Sequence, residues 1–556
     1  MQQRMAINQS ISSGLTRLAK HSAQRPVIAA ALLFTVVCLV LLLYRHYSLY
    51  SSYDQGIFNQ IFWNSIHGRL FESSLSSGLS AEVLLHGGVP LVSYRHLGQH
   101  FNPIFLLWLP LYALFPFPET LSILQVLLIA AAGLVLYILA RQQLSPRLSV
   151  LIAISFYGAN TVLGPTLGNF HDYNPLPLFL FSLLLALEKG WWTLFWLMAI
   201  LTLSIREDAG VPLLSVGLYL IVSRRRWRIG LALFTLTVAY ILLLTNLIMP
   251  SFSSDFAERL IVERFGQYTS GKPASSAEAI GTILSSPGRI LAELGSQFPR
   301  KLRYLLGHWL PLGFIPAISS DAWLLTAFPF LQLLLMQGDN SLSINIRYAT
   351  LAVPGLFYGA ILWWSKHPNA FQGKMPKFLS LCLALSLFFT VTSNPNLTLS
   401  FLIPDSIRPW VHISLGEQVR HAAQARAVMA QIPPPASIAA TTYLIPPLSS
   451  RRAIVRFPDL SQFRDEAQQT QKVEYIIADL WRLQRYSPAF KSERSSLKAS
   501  LDKIRQLLET QEYGIRAFQD QVVLLQQNLR TEPDTAAAWR SFIKQLRQNS
   551  PEVFSP

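Results

Sequence analysis

Apolar and polar residues segregate along this chain in blocks the size of whole helices. Over about the first 395 residues, apolar runs fall near 27–44, 119–140, 148–168, 174–188, 191–205, 209–222, 229–250, 303–319, 321–337, 347–364 and 377–393. A helix needs about 20 apolar residues to cross roughly 30 Å of hydrocarbon, and somewhat fewer inside a bundle. The pattern predicts an α-helical polytopic membrane protein with about 11 transmembrane helices. The stretch 101–118 is also apolar, but Pro103, Pro110, Pro116 and Pro118 interrupt it. A re-entrant or interfacial segment is expected there, because non-helical backbone at membrane depth survives where protein buries it.

Basic residues set the orientation. With the N-terminus inside, Arg141 and Arg147, Lys189, Arg224 to Arg226 with Arg228, and Lys366 through Lys377 all fall on the cytoplasmic side, as the positive-inside rule asks. Counting 101–118 as a span would put Arg141 and Arg147 outside. Two outer loops are long, 45–118 and 251–302. In the first, Ile57, Phe58, Ile61, Phe62 and Ile66 recur at helical spacing, which predicts an amphipathic helix lying on the membrane surface. The second has a charged, helix-like stretch from Asp255 to Phe265, followed by a linker rich in Ser, Gly and Pro.

After about residue 395 the pattern becomes that of a soluble α/β domain on the outer face. Strands are predicted near 437–442, 453–457 and 473–479, a helix over 491–511, and a hairpin pairing Tyr513–Phe518 with Val522–Gln526. The expected organisation is a cytoplasmic segment 1–26, a transmembrane domain 27–394, an outer α/β domain 395–530 and a polar tail 531–556.

Composition agrees with this picture. Hydrophobic residues make up 51% of the chain and charged ones only 14%, against about 25% charged in a soluble protein. The net charge of +16 reads as topology and attraction to anionic lipid, not as a nucleic-acid surface. Two cysteines, Cys38 and Cys382, lie in apolar runs and offer no disulfide framework. A basic segment with Arg4, Arg17, Lys20 and Arg25 precedes the run 27–44, with no small-residue cleavage site after it. It is expected to be a retained signal anchor in the plasma or inner membrane.

Carboxylates at the edge of hydrocarbon are costly and mark candidate function. Asp54, at the start of the first outer loop, is either a general base toward an acceptor hydroxyl or an N-cap of the following helix. His96 and His100, with Arg95 adjacent, have the spacing to share a metal or to hold a phosphate; no third ligand stands at a recognisable distance. His171-Asp172 and Arg206-Glu207-Asp208 lie between spans, where helix capping and mutual neutralisation are the plainer alternatives. Arg347-Tyr348 opens a span, as a phosphate ligand or as an interfacial anchor. Independent caps would scatter over both faces. Here three acidic sites, several histidines and an arginine converge on the predicted outer face, whereas Glu188 and Asp321 stand alone on the inner one. That points to a polar pocket at the outer edge of the bilayer.

The ordered series Tyr53-Asp54-Gln55-Gly56-Ile57-Phe58-Asn59-Gln60, His100-Phe101-Asn102-Pro103, Pro110-Leu111-Tyr112, His171-Asp172-Tyr173-Asn174-Pro175, Arg206-Glu207-Asp208 and Arg347-Tyr348 resembles the prokaryotic predicted-membrane-protein family known as domain of unknown function 2079. Ser437-Ile438-Ala439-Ala440-Thr441-Thr442 and Glu474-Tyr475-Ile476-Ile477-Ala478-Asp479 fit the same pattern. That family is similar in architecture to the C-type (GT-C) membrane glycosyltransferases, which take sugars from polyprenyl phosphate. The resemblance implies a catalytic base or metal ligand at Asp54, a second acidic region at His171, Asp172, Glu207 and Asp208, and Arg347 near the donor phosphate. The expected site thus takes Asp54, Asp172, Glu207 and Asp208 as catalytic and Arg95, His96, His100, His171, Arg206, Arg347 and Tyr348 as substrate contacts. It implies membrane lipid, a polyprenyl-phosphate sugar and a glycan, lipid or protein acceptor as partners, and leaves a divalent metal open as cofactor. A transporter or flippase is the first alternative, although the chain shows no internal repeat and its acids lie at helix ends. A non-catalytic envelope assembly or glycan-binding protein is the second.

Overall fold

The long apolar runs form helices because proline opens them and few breakers interrupt them. The computed structural model describes residues 2–338, 340–550 and 553–554. Pro118 and Pro146 occupy the first turns of Pro118–Ala140 and Pro146–Gly158, where a missing N–H costs nothing. Gly190 ends Leu176–Lys189 in the left-handed conformation at φ 69°.

A helix or broken helix lies at each of the eleven positions. Among the described residues, four helices are long and apolar enough to cross a membrane: Gln24–Tyr47, Pro118–Ala140, Trp227–Ser251 and Met375–Thr392. Pro146–Gly158 and Asn160–Thr166, bent by 41°, make a fifth if taken as one span. Others are apolar but short, such as Trp192–Leu203 and Val211–Val222; at 1.5 Å per residue each extends about 18 Å. Leu176–Lys189 is buried along most of its length, with Phe181, Leu183 and Ala186 fully enclosed. Such a helix forms the inside of a bundle.

The proline-rich stretch yields a single ten-residue helix, Phe105–Leu114. It exposes Leu106, Leu107, Leu111 and Leu114, and is too short for a crossing.

The helix Tyr53–Ile66 corrects one expectation. It is not a surface helix with a free polar face, because Gln55, Asn59, Gln60 and Asn64 are buried with its apolar residues. Asn59 donates to Ser449 Oγ (2.8 Å), and Gln60 donates to the carbonyls of Arg451 and Arg452 (3.1 Å each). The C-terminal region covers the face that sequence periodicity assigned to water.

That region carries five main strands, β1 (Ile438–Ala440), β2 (Ile454–Arg456), β3 (Tyr475–Asp479), β4 (Tyr513–Gln519) and β5 (Val522–Gln527). They are ordered β2-β1-β3-β5-β4. β1 pairs in parallel with β2 and β3; β5 runs antiparallel to β3 and β4. Alternate side chains serve two cores. Ala440, Ile454, Ile477 and Leu524 join the core continuous with the helical bundle. Ala439, Val455, Ile476 and Val523 pack with Leu497, Leu501 and Ile504 of the helix Lys491–Glu509. Cys38 and Cys382 are free and buried.

Candidate active site

Arg206 organises the polar centre. It follows the helix Trp192–Leu203 and is fully buried. A guanidinium removed from water is tolerated only when charge and hydrogen bonds replace its hydration. Nη1 lies 3.4 Å from Asp172 Oδ2, and Nε lies 3.2 Å from Glu207 Oε1 and 3.3 Å from Asp208 Oδ1. The rings of Tyr173 and Tyr348 lie 5.0 and 6.0 Å from its centre. Three carboxylates exceed one cation, so further donors are needed. Asp208 accepts from the Tyr173 hydroxyl and from Gln332, and Arg264 Nη1 approaches it at 3.7 Å. Glu207 also accepts from the backbone N–H of Phe101.

His100 closes this network. Its Nδ1–H donates to Glu207 Oε1 (2.9 Å), and its Nε2 accepts from Arg206 Nη2 (3.3 Å). That arrangement assigns a neutral imidazole with the proton on Nδ1. Burial, then Arg206, holds its pKa well below the ordinary histidine value. Burial opposes the charge of Asp172, but Arg206 and Arg347 outweigh it and keep the carboxyl ionised below the usual range.

Asp54 stands apart from this cluster. It lies in the first turn of Tyr53–Ile66, whose N-cap is Ser52, so it is not the capping residue. Its Oδ2 lies 2.7 Å from Arg347 Nη1, and its side chain keeps 37% of its exposure. Two cavities meet at this pair. One, of about 300 Å³, is lined by Asp54, His96, His100, Asp172, Arg264 and Arg347 among others. The second, of about 220 Å³, has Ser52, Asn169, His171 and Asn345 in its lining. Asp54, Asn340, Arg347 and Tyr348 line both. His96 Nε2, Asp172 Oδ1, His171 Nδ1 and Arg347 Nε are buried around these spaces without a hydrogen-bond partner among the described residues. Such atoms cost about 1–3 kcal/mol each when unsatisfied, which favours a polar occupant.

Most residues expected from the sequence gather here, with three differences. Arg95 is exposed and lines neither cavity. Glu207 and Asp208 also line neither, because Arg206 engages them from behind. His96 and His100 do not converge on a common point: His96 Nδ1 bonds Ser76 Oγ (2.9 Å), whereas His100 turns to Glu207. Among the described residues no three His, Cys, Asp or Glu side chains form a metal-binding group. Asp54, Asp172, Glu207 and Asp208 each face an arginine, so they do not fit a metal as arranged. Sequence reasoning missed Arg259, Glu263 and Arg264 as lining residues. Their signal was the charged stretch Asp255–Phe265, a run of ionisable residues in an otherwise apolar chain.

The model of a family described as a predicted membrane protein (DUF2079) matches residues 45–524. The chain belongs to this family. The resemblance read from the Asp54, His100, His171, Arg206 and Arg347 motifs is thereby shown, and with the apolar helices it makes this DUF2079 protein an integral membrane protein. No curated protein matches the sequence. Among solved structures, ArnT from Cupriavidus metallidurans bound to undecaprenyl phosphate is 13% identical, with 90% of this chain and 98% of that chain covered and a TM-score of 0.47. The apo state of the same protein is also 13% identical, covering 90% and 97%, with a TM-score of 0.44.

Proposed function

We propose that the protein is a membrane glycosyltransferase that moves a sugar from a polyprenyl phosphate to a hydroxyl acceptor on the extracytoplasmic side. The N-terminus then lies in the cytoplasm, and the C-terminal α/β region lies on the side of the acceptor. The observation that carries this reading is the Asp54–Arg347 ion pair at the junction of two polar cavities. Among the described acids, Asp54 is the one that lines both cavities, and Arg206 does not hold it.

One cavity takes the acceptor and the other the donor headgroup. Asp54 accepts the proton of the acceptor hydroxyl as that oxygen attacks the anomeric carbon. The bond from the anomeric carbon to the phosphate oxygen breaks on the opposite face, and its electron pair leaves with the polyprenyl phosphate. Configuration inverts. Protonation removes the charge of Asp54 while the leaving phosphate gains one, so Arg347 exchanges one anionic partner for another. Arg264 adds a second guanidinium in the larger cavity. Asp172, Glu207 and Asp208 act as positioning residues through Arg206. This reading differs from the catalytic role expected from the sequence for Asp172, Glu207 and Asp208.

The test uses the full chain in lipid nanodiscs with a panel of polyprenyl-phosphate sugars, with divalent metal or with chelator. Release of polyprenyl phosphate is expected from the wild type and not from Asp54→Asn, while both unfold at the same temperature. Full turnover in Asp54→Asn removes the assignment. Absence of binding and turnover with every donor favours the transporter or the non-catalytic assembly alternative.

A further inference from the structure

A second cavity system lies in the C-terminal sheet. Chain order gives the first reason to look there. From β1 the chain passes to β2 on one side, and then returns to place β3 on the other. In open α/β sheets, ligands bind outside the carboxyl ends of parallel strands where strand order reverses in this way. At that point Thr441 and Thr442 follow β1, Phe457 follows β2 and Asp479 ends β3. A cavity of about 340 Å³ opens there, within the range of small-molecule sites.

Its lining is built and incompletely satisfied. Arg482 is 3% exposed and its guanidinium lies between the rings of Tyr50 and Tyr443, 3.7 and 3.4 Å from their centres. Nη1 donates to the carbonyl of Leu49 (2.8 Å), but Nη2 has no hydrogen-bond partner among the described residues. Ser500, fully buried on the cavity wall, also leaves its hydroxyl without a partner. Asp479 is held from behind: His421 Nε2 lies 3.1 Å from Oδ2, and Oδ1 accepts from the N–H of Arg482 (3.0 Å). His421 is fixed in turn by Asp520 (2.8 Å) and by stacking on Trp481 at 4.1 Å. None of these groups belongs to the site around Asp54.

We propose that this crevice binds an uncharged saccharide unit. Arg482 and Arg456 face Asp459, Asp479 and Glu493 across the lining, so the site has no positive surplus for a phosphate or carboxylate ligand. It does combine a donor-only group, Arg482, with acceptor-only groups, Glu493 and Asp479. Thr442, Ser496 and Ser500 add hydroxyl-bearing side chains to the same lining. A ligand hydroxyl accepts one hydrogen bond and donates another, so a ring bearing several hydroxyls matches both kinds of partner at once. The free sugar and the terminal unit of a longer glycan share this chemistry.

The experiment uses the full chain in nanodiscs and saturation-transfer NMR, titrating glucose, galactose, mannose and N-acetylglucosamine and then their short oligomers. At least one neutral sugar is expected to bind saturably, and at least about tenfold more weakly to Glu493→Gln or Ser496→Ala. Glucose 6-phosphate is expected not to compete. Preference for oligomers identifies a glycan terminus, and equal binding identifies the free sugar; either supports the site. Asp54→Asn is expected to bind as the wild type does, which separates this inference from the transferase reading. No saturable binding by any neutral sugar, unchanged binding in both variants, or competition by the phosphorylated sugar overturns it.

Discussion

Arg347 Nη1 and Asp54 Oδ2 lie 2.7 Å apart although 293 positions separate the two residues in sequence. The pair joins the first turn of the helix Tyr53–Ile66 to the 3-10 turn Arg347–Leu351. Neither residue has another ion-pair partner among the described residues, in contrast to Arg206 and its three acids.

Replacing the guanidinium therefore tests the pair directly. Arg347→Lys keeps the charge and removes the planar fork that matches carboxylate and phosphate. A fall of about ten- to a hundredfold in kcat/KM is expected, with little change in unfolding temperature. Wild-type kinetics in Arg347→Lys would argue against any contact with the leaving phosphate.

Arg206→Met should act on folding instead. It strands Asp172, Glu207 and part of the compensation of Asp208 in a buried site. Breaking a buried pair by removing one partner costs about 3–5 kcal/mol. Thermal unfolding in detergent checks this; an unchanged midpoint would mean that water reaches the cluster freely.

Acid should loosen the same region. Burial pushes His96 down to about 4 and His171 down to about 3 from the ordinary 6.5. As pH falls below about 6.5 the unfolded chain binds protons that the native chain refuses, so native stability declines, and it continues to decline until about pH 3, where His171 also takes up its proton in the native chain. Unfolding midpoints measured at pH 7.5, 5.5 and 4.5 are expected to fall, and to fall less in His96→Gln combined with His171→Gln. A midpoint independent of pH over that range would contradict the burial of both rings.

Gln60→Leu tests how the C-terminal region is attached. Gln60 accepts from Ser73 and from the N–H of Leu75 and donates to Ser74, Arg451 and Arg452. Leucine leaves these groups unanswered, at about 1–3 kcal/mol for each one that stays buried. Faster proteolytic release of the segment after about residue 394 is expected, whereas equal protection would assign the attachment to apolar contacts alone.

Much of this architecture was legible in the sequence because its signals are local. Short strand-like runs located β1, β2, β3 and the β4–β5 hairpin, and the helix 491–511 appears as Lys491–Glu509. The gathering of acids and bases identified Asp54, His100, Asp172, Arg206 and Arg347, since ionisable residues beside apolar runs are rare enough to notice. What sequence could not show was pairing. The partners of Asp54 and Gln60 lie hundreds of residues away, so the polar face of Tyr53–Ile66 looked solvated and Glu207 looked available. The helix Leu415–Met429 was also missed, although Ser414 and Glu417 form a capping box at its start.

The grip of Ser449, Arg451 and Arg452 on the helix that begins beside Asp54 also fixes an order of events during synthesis. Asp54 leaves the ribosome early, among the first tenth of the chain, but its helix stays uncovered until nearly four hundred further residues have followed. A nascent or truncated chain thus carries the whole acidic cluster without the support that holds Asp54 in place. The helix beside Asp54 therefore gains its last polar partners only after Arg452 has been made, an order set by connectivity alone.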